Sequence, residues 1–77
     1  MSSIEQIIIV PQWDKFEEYF VFYSDGTRLE FGVEYYSGDP EFVLPGKEAE
    51  EVEEAKCREA FQFGEDNPEV LTYSVET

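Results

Sequence analysis

Seventy-seven residues carrying 19 Asp and Glu against 5 Lys and Arg have a net charge of −14, well beyond the magnitude of about 2–8 usual for a small domain. The length allows one domain, 1–77, and excludes a two-lobed enzyme. With no His and one Cys, the chain cannot assemble a four-ligand zinc site, an imidazole-assisted nucleophile or an internal disulfide.

In chain order, Ile7-Ile8-Ile9-Val10 is a β-branched run that disfavours helix, so Glu5–Val10 is predicted as a strand buried on both faces inside a sheet. No basic stretch precedes this run, and it is too short for a signal core or a membrane span. Without disulfides or an export signal the expectation is a cytoplasmic protein that does not engage membranes. Asp25-Gly26 between Glu17–Tyr23 and Arg28–Tyr36 predicts a hairpin with a two-residue type I′ loop. In that register Phe22 meets Leu29, Phe20 meets Phe31 and Glu18 meets Val33. The core face then carries Phe20, Phe22, Leu29, Phe31, Val33 and Tyr35, and the outer face Glu17, Tyr19, Val21, Tyr23, Glu30, Glu34 and Tyr36.

Lys47–Phe63 is rich in helix formers and lacks Gly and Pro, which predicts a helix starting near Pro45-Gly46 and ended by Gly64. Ala49, Val52, Ala60 and Phe63 share its apolar face, with Ala55, Cys57 and Phe61 at the margins. Cys57 is read as an inert, partly buried filler rather than a reactive thiol. Val70–Val75 alternates after a proline and is predicted as the closing strand. The sum is an α+β fold: a mostly antiparallel sheet of about four strands in the order β-β-β-α-β, with one helix packed on one face.

Carboxylates, Tyr and Lys are the only chemistry on offer, and a unit this small leaves little room for a substrate cleft. No enzyme is expected. Neither Glu65-Asp66-Asn67 nor Gly38-Asp39-Pro40-Glu41 has the ligand spacing of a calcium loop, so no metal or cofactor is expected either. Scarce Lys and Arg argue against direct binding of nucleic acid, whose phosphates would be repelled.

Residues two apart on a strand lie about 6.6 Å apart. On that spacing Glu17, Glu30 and Glu34, with Asp14 and the helix carboxylates Glu48, Glu50, Glu51 and Glu54, form a negative array comparable to a row of phosphates. Trp13, Tyr19, Tyr23 and Tyr36 flank it, and Trp and Tyr are frequent binding hot spots. These twelve residues are the candidate partner-binding set. A solvated helix face and rings that simply cover the sheet explain the same residues without a partner.

A short, strongly acidic, aromatic-rich chain with stretches such as Glu48-Ala49-Glu50-Glu51-Val52-Glu53-Glu54 resembles the phage-encoded inhibitors that imitate nucleic acid, anti-CRISPR proteins among them. The resemblance is one of size, charge and composition. It implies a non-enzymatic inhibitor of a basic nucleic-acid-handling protein such as a CRISPR effector, acting in the host cell's cytoplasm if phage-encoded. Separately, the mutual repulsion of two bodies at −14 opposes edge-to-edge pairing and predicts a monomer. Two alternatives stand beside it. One is an accessory interaction subunit recognised through an apolar or aromatic patch or a sheet edge. The other is adaptation to high salt, against which stands the excess of 15 Glu over 4 Asp.

Overall fold

The computed structural model describes residues 3–44 and 51–74. Strands β1 (Ile4–Trp13), β2 (Phe16–Tyr23), β3 (Arg28–Glu34) and β4 (Glu41–Val43) precede helix α1 (Glu51–Asp66), and after a 3-10 turn at Pro68–Val70 strand β5 (Leu71–Tyr73) closes the chain. The fold is α+β, with one five-stranded sheet ordered β4-β3-β2-β1-β5. Neighbours run antiparallel except β1 and β5, which are parallel. The strand beyond the expected four is β4, whose three residues are too few to show alternation in sequence.

β1 lies inside the sheet as expected, but it is buried on one face only. Ile7 and Ile9 are enclosed, whereas Ile8 and Val10 are half-buried on the side that no described element covers, and the strand does not stop at Pro11. β5 pairs with it only from Ile7 to Ile9, and the Ile9 carbonyl accepts the Ser74 N–H on that side. Pro11, two residues on, therefore turns its missing N–H toward an edge where no ladder bond is lost.

The hairpin turn differs from the expected one, with consequences for the whole surface. Gly26 N–H donates to the Tyr23 carbonyl and Tyr23 N–H to the Thr27 carbonyl, at 3.1 and 2.9 Å. The loop is therefore three residues, Ser24-Asp25-Gly26. A type I′ turn needs positive φ at both central residues, but Gly26 has it (+89°) and Asp25 does not. Asp25 instead accepts from Thr27 N–H at 3.0 Å and Thr27 Oγ1–H at 2.6 Å. The extra loop residue shifts the pairing by one, so Tyr19 faces Phe31, Val21 faces Leu29 and Phe20 faces Glu30. In β3 the expected core face stands; in β2 it is inverted. Tyr19 and Val21 are buried with Phe31 and Val33, while Phe20 and Phe22 are turned to the opposite face, because one residue of slip exchanges the two sides of a strand.

α1 covers the Tyr19–Val21 side. Among its residues whose burial is described, Cys57, Ala60 and Gly64 are buried, with Phe61 half-buried beside them, a helical i, i+3, i+4, i+7 stripe. Ala60 lies on the buried face as expected, whereas Cys57, expected at its margin, is fully enclosed and Phe63 is only half-buried. Gly64 lies within the helix instead of ending it. A Cβ there would come within 2.9 Å of Leu71 Cδ2 and 3.2 Å of Ile7 Cδ1, so the missing side chain lets helix and sheet approach closely. The helix ends where Pro68 disfavours helical geometry at Asn67, and Asn67 returns its backbone N–H and side-chain Nδ2–H to the Phe63 carbonyl. The helix start expected at Pro45-Gly46 lies outside the described residues.

Between the layers, rings interlock. Tyr19 stacks on Phe31 with centroids 5.2 Å apart, Phe42 meets Phe31 edge-on at 5.7 Å, and Phe61 contacts both Tyr19 and Phe42 at 5.7 Å.

Candidate functional site

With α1 on one side, no described element covers the other face of the sheet. Alternation places there Gln6, Ile8 and Val10 of β1, Phe16, Glu18, Phe20 and Phe22 of β2, and Arg28, Glu30, Gly32 and Glu34 of β3. Ile8, Val10, Phe16, Phe20 and Phe22 are only half-buried. An apolar strip thus runs across the open face, with carboxylates at its margins.

At one end the strip is built by aromatic contacts. Trp13 stacks on Phe16 with centroids 4.5 Å apart, and its Nε1–H donates to the Tyr36 hydroxyl at 2.7 Å. Trp13 and Tyr36 are 61% and 59% exposed, so this ordered pair presents its rings to solvent. Phe16 in turn lies over Gly32, where a Cβ would come within 2.7 Å of the ring. Beside that contact a groove of about 330 Å³ opens between Phe16, Glu18, Phe20, Glu30, Gly32 and Val43.

The structure distributes the sequence-predicted residues over both faces. Trp13, Glu30, Glu34 and Tyr36 belong to the open side, and Asp14 is exposed in the β1–β2 turn. Tyr19, expected outward, is buried at 6% exposure. Tyr23 and Glu17 share its face and are half-buried. The shifted turn accounts for all three. Glu54 is on the helix, in the opposite layer, where it accepts from Arg58 at 3.3 Å. Glu48, Glu50 and the side chain of Glu51 lie outside the described residues. The single carboxylate array expected from the sequence is therefore divided, with Glu30 and Glu34 on one side and Glu54 on the other. Sequence reasoning missed Phe16, Glu18, Phe20 and Val43. Glu18 was legible as part of a hairpin strand, but its side of it depended on the turn length; Phe16 lies one residue before the expected start of that strand.

Burial raises the Tyr19 hydroxyl far above its ordinary value, with the Tyr35 hydroxyl 3.5 Å away adding to the effect. Tyr35 is raised too, first by burial and then by the Glu17 charge. Both rings pack between sheet and helix with their hydroxyls favoured in the neutral form. Cys57 is fully buried, and burial, with Glu53 and Glu54 nearby, pushes its thiol from 9.0 up to about 11. A thiol held protonated and out of solvent is unreactive. Below about pH 9 both folded and unfolded chains keep this proton, so its contribution is complete there. Between 9 and 11 the unfolded chain loses the proton first, and stability falls with rising pH by at most ~1.4 kcal/mol per unit. Urea midpoints from pH 8 to 10 should show this decline, and Cys57→Ala should flatten it. An unchanged slope in the variant would assign the decline to the tyrosines.

Among the described residues no group of three or more His, Cys, Asp or Glu is placed to hold a metal ion, and no helix is long and apolar enough to cross a membrane. No protein-family model matches the chain, and no curated protein or solved structure matches it significantly. The site's meaning rests on its own chemistry.

Proposed function

We propose that this chain is a non-enzymatic inhibitor that binds a basic nucleic-acid-handling protein, a CRISPR effector being one such partner, and seats it on the uncovered face of the sheet. The observation that carries this reading is the interleaving on one rigid face of Glu18, Glu30 and Glu34 with Phe16 and Phe20, ending in the exposed Trp13–Tyr36 pair. A groove evolved for nucleic acid offers cations for phosphates and flat surfaces for bases. Carboxylates set among aromatic rings answer both. The net charge of −14 adds long-range attraction, which speeds encounter with a positively charged partner.

Trp13 is the only tryptophan and sits in the proposed interface, so its fluorescence reports binding directly. Titration against purified nucleic-acid-handling proteins is expected to give an affinity that falls as salt rises from 50 to 500 mM, since exposed charges are screened within about 10 Å at 0.1 M. Added DNA is expected to displace the chain. An affinity indifferent to both salt and DNA would sink the inhibitor reading. The exposed aromatic strip favours a second reading, an accessory subunit held mainly by apolar contact. It predicts that Trp13→Ala abolishes binding, measured calorimetrically, while Glu18→Gln and Glu34→Gln leave it intact.

A further inference from the structure

Resting on that reading, we infer that the groove over Gly32 is a receptor for one arginine side chain of the partner, its stem lying between Phe16 and Phe20 and its guanidinium between Glu18 and Glu30. Four observations meet here. The groove is apolar along its floor and walls, from Gly32, Phe16, Phe20 and Val43, which suits the methylene stem of a long cationic side chain. Glu18 pairs with Gly32 and Glu30 with Phe20, so the two carboxylates are diagonal neighbours on one face, about 7–8 Å apart at the backbone. A planar guanidinium has five N–H donors in a fixed fork and can donate to both carboxylates at once. Among the described residues neither Glu18 nor Glu30 has a hydrogen-bond or ion-pair partner. Arg28, although on the same side of β3 by alternation, does not line this groove and lines instead one shared with Tyr23 and the helix residues Lys56 and Glu59.

The fold itself contains the complete version of this arrangement on its other side. Arg58 is held by Glu54 at 3.3 Å and lies over the Phe42 ring, 5.3 Å from its centroid. The groove repeats the acceptor half, carboxylate beside phenyl ring, with two carboxylates and no cation. A second copy of this chain is a poor occupant, because it brings −14 against the same charge. The occupant must be cationic and slender.

The test uses the whole protein labelled with 15N and capped pentapeptides with a central arginine, lysine or citrulline between two leucines. Amide shifts of Gly32 and of residues 16–20 and 30 should move with the arginine peptide. Citrulline, which keeps the shape and loses the charge, should bind at least tenfold more weakly, and lysine should fall between them. Glu18→Gln with Glu30→Gln should weaken the arginine peptide at least tenfold, whereas Glu59→Gln with Glu65→Gln on the helix removes the same two charges and should change little. Equal losses in the two double variants, equal binding of arginine and citrulline, or shifts confined to the helix face would each overturn the arginine site. Those outcomes leave the inhibitor reading to its own salt and DNA titration. Persistence of salt- and DNA-sensitive partner binding after loss of the peptide effect would separate failure of the groove from failure of the function.

Discussion

Phe31→Ala is expected to unfold most of the chain, while Phe20→Ala leaves it folded. Phe31 is 2% exposed and packed against Tyr19 and Phe42, and truncating a buried Phe costs about 3–5 kcal/mol. A core of this size supplies no more than about 3–5 kcal/mol of net stability, so the loss consumes all of it. Phe20 sits half-buried on the open face, and its truncation should cost about 1 kcal/mol or less. Urea unfolding followed by circular dichroism measures both. The comparison also tests the hairpin: a two-residue loop would put both rings in the core, and equal destabilisation by the two substitutions would restore that register against the observed one.

The second large effect concerns binding. Hot-spot truncations cost 2 kcal/mol or more, about 30-fold in affinity, and the rings able to act so are those on the open side. Phe20→Ala and Trp13→Ala are each expected to weaken a nucleic-acid-handling partner by about that factor. Tyr19→Phe should leave affinity unchanged, because the Tyr19 hydroxyl faces Tyr35 beneath the helix. Calorimetric titration of the three variants decides. Loss of binding in Tyr19→Phe with retention in Phe20→Ala would move the interface to the helix side, where Tyr23, Arg28, Lys56 and Glu59 line a separate groove.

Both predictions turn on a single residue of loop. The sequence Ser24-Asp25-Gly26-Thr27 announces a hairpin clearly, but Asp-Gly serves a two-residue loop and the end of a three-residue loop alike. What separates them is whether Asp25 takes positive φ or keeps negative φ and brackets Thr27 with its carboxylate. The choice follows from which face of β2 finds a helix to cover it. β2 reads Phe16-Glu17-Glu18-Tyr19-Phe20-Val21-Phe22-Tyr23, with aromatic residues in both alternating sets, so periodicity cannot rank the faces. β3 carries Leu29, Phe31 and Val33 against Arg28, Glu30 and Glu34, and its inward side was legible at once.

The chain's composition and local pattern determined that it is strongly acidic, of α+β class and without imidazole chemistry, that Ile7–Val10 enters the sheet interior, and that a helix follows the hairpin. These depend on residue counts and on interactions within a few positions. Tertiary structure decided the rest: that Gly64 packs instead of capping, that Pro11 is tolerated beside a short β5, and that the carboxylates divide between two layers. Each is settled by what lies across the sheet from a residue. Only the folded chain supplies that neighbour, and with it the aromatic strip left on the open face of the sheet.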